Sequence, residues 1–166
     1  FIISCNHISN NDGLMLHIKF ATKFPYLAKK VLFKTKFSSW LMRKLGAVPV
    51  DRTTADTRAV KEIFSLLNKK KNVCIFPQGT RVKTPLIEGE TAKEGVAMFA
   101  IRTGTPVLPM MFDRKLRPFH KTYLYIGKPI YPDIERKKDK VYLDEFSNQI
   151  IDKMNDLLIE NTPKLN

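Results

Sequence analysis

The chain has 166 residues and 19.2 kDa, with 29 Lys and Arg against 16 Asp and Glu, a net charge of +13 and a pI near 9.8. That length fits one domain able to build a core without disulfide or metal staples, and 43% hydrophobic with 27% charged residues excludes a disordered, collagen-like or coiled-coil chain. Two cysteines, Cys5 and Cys74, make neither a disulfide framework nor a four-cysteine zinc site, so a reducing, cytoplasmic setting is expected. No charge-free run approaches the roughly 18 apolar residues of a membrane-spanning helix, and nothing reads as a signal peptide. Phe1 stands inside what reads as a strand, so an upstream segment, a membrane anchor included, is expected before it.

Phe1 to Cys5 is a short apolar run ended by the polar cluster Asn6 to Gly13, the pattern of a buried strand feeding a loop. Asp12 is placed as the N-cap of a helix over Leu14 to Thr22, closed by Pro25. Ser38 to Leu45 reads as a second helix, stopped by Gly46. Ala47 to Val50 is a strand whose Pro49 suits an edge or a strand end. The next helix starts at Thr53 or Thr54 and buries Val60, Ile63, Phe64 and Leu67. Val73 to Phe76 is a buried strand broken by Pro77-Gln78-Gly79-Thr80. A helix carrying Val96, Phe99 and Ala100 ends at Gly104, and strands follow at Val107 to Phe112 and Tyr123 to Ile126. The last helix, Leu143 to Glu160, places Phe146, Ile150, Met154, Leu157 and Leu158 on one face. Strands alternating with helices imply a single α/β domain over residues 1–166, with a mixed, mostly parallel central sheet flanked by helices.

Three polar clusters stand just after predicted strands: Asn6 to Asp12, Asp51-Arg52 and Gln78 to Arg81. In an open α/β sheet the loops beyond the carboxyl ends of the strands converge on one ligand crevice, so the three strengthen one another. His7 and Asp12 stand five positions apart across a strand-to-helix turn. A turn can fold the carboxylate back to the imidazole, fixing its tautomer and leaving the other ring nitrogen to take a proton. Spacing alone favours the plainer reading, in which both residues serve only in capping and loop hydrogen bonds. Cys5 shares a strand face with His7 but reads as a small core residue rather than a nucleophile. His17 and His120 lack ligand-spaced companions, so no metal site is expected. Gly79-Thr80-Arg81 offers a small backbone, a hydroxyl and a guanidinium, a set suited to a phosphate monoester, with Arg52 as a second clamp. An ordinary turn with a surface arginine is the alternative.

Between Asp12 and Asp51 the chain carries no acid, yet Lys19, Lys23, Lys29, Lys30, Lys34, Lys36, Arg43 and Lys44 fall there, interleaved with aromatics that include Trp40. Apolar bodies ringed by cations suit a surface resting on an anionic bilayer, each cation contributing about 1 kcal/mol. Such surfaces also bind single-stranded nucleic acid. No nucleic-acid motif is present, however, and the cationic stretch is not a β platform, so no nucleic-acid partner is expected.

The clusters together resemble a known family. NHISNND, Asn6 to Asp12, resembles the NHxSxxD block of the glycerolipid acyltransferases, the 1-acylglycerol-3-phosphate (lysophosphatidate) acyltransferases. GAVPVDR, Gly46 to Arg52, is similar to their second block. FPQGTR, Phe76 to Arg81, resembles the third, usually FPEGTR, and TPVLPM, Thr105 to Met110, the fourth. With Gly127 to Ile130 the resemblance covers most of the chain, and four blocks in order are far more specific than one H-x4-D.

The resemblance implies the glycerolipid acyltransferase fold. It also implies transfer of an acyl group from acyl-CoA or acyl carrier protein, as co-substrate, to the sn-2 hydroxyl of lysophosphatidate, giving phosphatidate. His7 is then the base and Asp12 its orienting partner. Asn6, Ser9, Arg52, Gln78, Gly79, Thr80 and Arg81 are expected at the substrate, and Pro109 is expected to shape its pocket. No cofactor and no covalent intermediate are implied. The basic belt with Trp40 is expected to hold the protein, peripherally, at the cytoplasmic face of the membrane. Gln78 departs from the usual glutamate, which bears on which lysophospholipid is the acceptor. The family's region upstream of the first block, with its membrane-docking helices, is expected before Phe1.

Overall fold

In a computed structural model, residues 1–9, 11–20, 24–51, 57–88, 94–115, 117 and 119–161 are described. Their elements are β1 (Ile2–Cys5), α1 (Asp12–Phe20), β2 (Tyr26–Lys29), a 3-10 turn (Lys30–Phe33), α2 (Lys36–Lys44), β3 (Ala47–Val50), α3 (Thr57–Asn68), β4 (Val73–Ile75), α4 (Gly95–Thr103), β5 (Val107–Phe112), β6 (Leu124–Ile126) and α5 (Lys140–Asn161). The six strands form one sheet in the order β3-β2-β4-β1-β5-β6. All pairings are parallel except β5 with β6, so the sheet is mixed and mostly parallel. The carboxyl ends of β1 to β5 therefore lie along one edge. At β1 the chain departs toward β2 on one side and later returns through β5 on the other. That reversal is the place where open α/β sheets carry ligands.

Alternation along the strands builds two cores. Ile2, Val73, Ile75, Val107 and Met111 face α3, α4 and α5 and pack with Ile63, Leu67, Phe99, Phe146 and Met154. Ile3, Cys5, Cys74, Met110 and Phe112 face the other way, onto Leu16 of α1 and Phe24. Strands covered on both faces read as continuous apolar runs, which is why β1, β4 and β5 are legible in sequence.

β2 is absent from the sequence reading. Its four residues include Lys29 and show no clear alternation, and it enters the sheet by pairing with β3 along its length. β3 is an edge strand, so Pro49 leaves no neighbouring strand without a partner. α2 starts at Lys36 rather than Ser38, because Thr35 and Ser38 form a reciprocal capping box. It ends before Gly46, where a φ of +78° and the close approach of the Phe24 carbonyl both disfavour a side chain. α3 buries Ile63 and Leu67 as expected and packs a partly buried Phe64 against Phe99, but it does not bury Val60. Ala59, Ile63 and Leu67 are its buried residues, while Val60 is 38% exposed. Its expected start at Thr53 or Thr54 lies outside the described residues. α5 begins three residues earlier than expected, since Asp139 accepts from the Val141 and Tyr142 N–H groups.

Candidate active site

The chain leaves β1 through Asn6 and His7, and α1 begins at Asp12. Asn11, not Asp12, caps that helix, its carbonyl accepting from the Met15 N–H at 2.8 Å. Asp12 is thereby free to turn backward. One oxygen, Oδ2, accepts from His7 Nδ1, the Ile8 N–H and the Ser9 N–H, each at 2.8 Å. The turn folds so that this single oxygen collects its donors, which links the pair's geometry to the local backbone. His7 is held from three more directions. Its ring stacks on Phe76 with centroids 4.4 Å apart, its N–H donates to Gln78 Oε1 at 2.8 Å, and its carbonyl accepts from the Val82 N–H at 2.9 Å. The Asp12 carboxylate is buried, while the imidazole keeps an exposed edge. With Nδ1 donating to Asp12, Nε2 is the ring nitrogen left to accept a proton.

That edge opens into a cavity of about 320 Å³ shared with Gly13, Tyr26, Lys29, Thr80 and Arg81. His7, Thr80 and Arg81 are thus brought together, with two cations, Lys29 and Arg81, in the lining. Gly79 makes the turn between them with φ +63°. Burial, with Cys74 beside it, pushes the Tyr26 phenol up, so it stays a neutral donor. Gly13 lets α1 approach that phenol, where a Cβ would sit 3.3 Å from the ring. Sequence reasoning passed over Tyr26, Phe76 and the cavity position of Lys29. For Phe76, the aromatic directly before Pro77 was the available signal.

Other expected substrate contacts are placed elsewhere. Asn6 is fully buried, its Nδ2 donating to the Pro85 and Phe112 carbonyls and its Oδ1 accepting from the Phe112 N–H. Both its donors are spent, so it locks the ends of β1 and β5 together. Ser9 is buried too, and its hydroxyl accepts from the Asn11 N–H. Gln78 is 2% exposed and braces the His7 backbone, while its Nε2 has no partner among the described residues. Pro109 borders a groove with Gly127 and Leu157, not the His7 cavity. Arg52 and Lys23 lie outside the described residues. Cys5 and Cys74 are core residues whose thiols burial pushes well up, which removes the thiolate a nucleophile needs. His17 donates from Nδ1 to the Gly13 carbonyl, and His120 is exposed. No group of three potential metal ligands occurs among the described residues.

The basic belt is not one surface. Lys29 faces the His7 cavity, and Lys30, Lys34 and Arg43 border a second cavity beside it. Lys44 lies over the Trp40 ring at 4.7 Å. α2 buries no residue, and Phe37 and Trp40 are 72% and 55% exposed. Lys19 and Lys36 are exposed as well. No described helix is long and apolar enough to cross a membrane.

Comparison with known proteins places the chain in a family. The family model described as Acyltransferase matches residues 1–113, and the chain belongs to that family. It is 30% identical over 137 residues to a 1-acyl-sn-glycerol-3-phosphate acyltransferase of Bacillus subtilis, covering 79% of this chain and 67% of that protein. A Borreliella burgdorferi protein of the same name is 28% identical over 153 residues, covering 89% and 60%. The chain thus spans roughly three-fifths to two-thirds of those relatives. The crystal structure of the 1-acyl-sn-glycerophosphate (LPA) acyltransferase PlsC from Thermotoga maritima superposes with a TM-score of 0.71 at 25% identity, covering 99% of this chain and 68% of that one.

Proposed function

We propose that the protein transfers a fatty acyl group from a thioester donor, acyl-CoA or acyl carrier protein, to the sn-2 hydroxyl of 1-acylglycerol 3-phosphate, forming phosphatidate. The observation that carries this reading is the His7–Asp12 pair opening into a cavity that also holds Thr80 and Arg81. A base and a phosphate clamp in one small space suit an acceptor whose hydroxyl and phosphate are separated by a glycerol carbon or two. The names of the relatives point to the same acceptor.

In this mechanism Arg81, Thr80 and Lys29 hold the phosphate and set the hydroxyl against His7 Nε2. As the oxygen attacks the thioester carbonyl, its proton passes to Nε2, and Asp12 stabilises the imidazolium that forms. The tetrahedral intermediate collapses by breaking the carbon–sulfur bond. The departing thiolate takes the proton back from Nε2, leaving ester and free thiol. Base assistance of this kind contributes about 10²–10⁴-fold. No metal or redox group enters the balance.

The acceptor lives in a bilayer, and the protein works as a peripheral protein at the cytoplasmic face. Support comes from α2, whose Phe37, Trp40 and Leu41 are exposed beside Lys44. An apolar strip flanked by cations sinks into the headgroup layer. The reading is tested by free-thiol release from palmitoyl-CoA or palmitoyl carrier protein in mixed micelles. Release requiring 1-acylglycerol 3-phosphate and lost in His7→Ala is expected. Release that survives in His7→Ala, or that ignores the acceptor, rules the mechanism out.

A further inference from the structure

Next to the His7 cavity lies a second and larger one, of about 590 Å³, between the 3-10 turn, α2, the end of β3 and the start of α3. Its walls carry four cations, Lys30, Lys34, Arg43 and Arg58, against one carboxylate, Asp51. Lys30 approaches Asp51 at 3.9 Å. Among the described residues, no carboxylate lies within ion-pair distance of Lys34, Arg43 or Arg58. Val31, Phe33 and Pro49 supply an apolar lining, and Arg43 lies over the Phe33 ring at 5.9 Å. Val31 also lines the His7 cavity, so the two spaces meet across one side chain. Its volume falls within the range of small-molecule sites, while its lining is more charged than most.

We propose that this second cavity binds the phosphate end of the thioester donor, with Lys34, Arg43 and Arg58 as its charge clamp. The inference rests on the acyl-transfer reading above, and molecular length decides between the two substrates. In the acceptor, phosphate and reacting hydroxyl are close together, so both belong in the His7 cavity with Thr80 and Arg81. In a phosphopantetheine thioester, two amides and several methylenes separate phosphate from sulfur. Its phosphate therefore lies outside the His7 cavity when its carbonyl is at His7. A cationic space with an apolar lining, outside the His7 cavity but meeting it at Val31, has the required chemistry.

Membrane lipid headgroups are the rival occupants, and α2 argues against them. Phe37, Trp40, Leu41 and Lys44 fall at i, i+3, i+4 and i+7, one side of the helix. Ser39 and Arg43, four apart, line the cavity from another side. The bilayer-facing and cavity-facing residues of α2 are thus different sets. CoA and acyl carrier protein both present the phosphopantetheine phosphate, and they are separated by experiment.

The test compares wild type with the triple variant Lys34→Ser/Arg43→Gln/Arg58→Gln, and with the three single variants should the triple variant lose its fold by circular dichroism. Donors are palmitoyl-CoA, palmitoyl carrier protein and palmitoyl-pantetheine, which lacks phosphate. CoA binding without acyl transfer is followed by calorimetry. We expect KM for the phosphorylated donors to rise, and CoA affinity to fall, at least about ten-fold. KM for 1-acylglycerol 3-phosphate and turnover of palmitoyl-pantetheine should stay unchanged. A rise for only one phosphorylated donor supports the site and identifies that donor as its source. Unchanged donor KM and CoA affinity overturn the proposal. So does a rise confined to the acceptor KM, or a loss confined to binding of phosphatidylglycerol vesicles. If no donor supports transfer by wild type while CoA binding is lost on substitution, the site stands and the acyl-transfer reading falls.

Discussion

The loop after β1 and the helix α2 are both rich in chemistry, and they use it in opposite ways. Asn6, Ser9 and Asp12 of this turn are buried. Asp12 collects three donors on one oxygen, Asn6 ties β1 to β5, and Gln78 braces the His7 backbone. α2 buries nothing and leaves Phe37 and Trp40 in solvent. A proton transfer needs atoms held to a fraction of an ångström, which only a satisfied and buried network achieves. Docking to a fluid surface needs exposed area and charge, with no such register. On the proposed function, rigidity and exposure would sort catalysis from attachment within one small domain.

Substitutions can break this division. His7→Ala should lower kcat by about 10²–10⁴-fold with the fold intact, measured by thiol release beside thermal unfolding. Asp12→Asn should also cost kcat heavily, since the amide cannot stabilise an imidazolium as a carboxylate does. It should lower Tm as well, because Asp12 orders the Ile8 and Ser9 N–H groups. An Asp12→Asn protein with normal Tm and normal kcat would separate the loop's order from its chemistry and break the comparison. Asn6→Ala strips partners from the buried Phe112 N–H and carbonyl. That should cost about 1–3 kcal/mol, or a Tm drop of several degrees, with kcat falling only as far as the loop loosens.

On the attachment side, Phe37→Ser/Trp40→Ser should weaken binding to anionic vesicles by about ten-fold or more. Turnover of a micellar acceptor and Tm should hold, as checked by vesicle sedimentation and calorimetry. A large fall in Tm would show that α2 is structural after all. The smallest effect is expected at the α5 cap. Hydrogen bonding from Arg136, and then from the Tyr142 N–H, holds the Asp139 carboxyl below its ordinary range. A depressed carboxyl pKa adds stability that is present above the unfolded value near 4 and lost as pH falls through the folded one. Asp139→Ala should therefore lower Tm slightly at pH 7, with the difference from wild type vanishing in acid, by scanning calorimetry at several pH values.

Much of the fold was legible because burial leaves local marks. β1, β4 and β5 are continuous apolar runs, α5 shows an apolar face, and Gly46 and Gly104 end helices with positive φ. β2 was not legible, because a four-residue strand carrying Lys29 has neither length nor period to separate it from a loop. Of the site, the His7–Asp12 contact spans five residues and follows from a turn. The stack on Phe76 and the Gln78 brace join segments about 70 residues apart. Asn6 and Ser9 looked available for substrate only because their buried backbone partners could not be seen.

By itself the sequence determined the α/β class, the covered strands, a Pro49 suited to an edge or a strand end, and the capping glycines. These follow from side-chain period and turn chemistry, which are local. Only the tertiary structure decided the sheet order, and with it which loops meet at the His7 cavity. Only there does α2 show that it buries nothing, and does the basic stretch divide between the His7 cavity, a second cavity and an outer face. Strand order depends on pairings between residues far apart in the chain, and neither the period of a strand nor that of a helix encodes them.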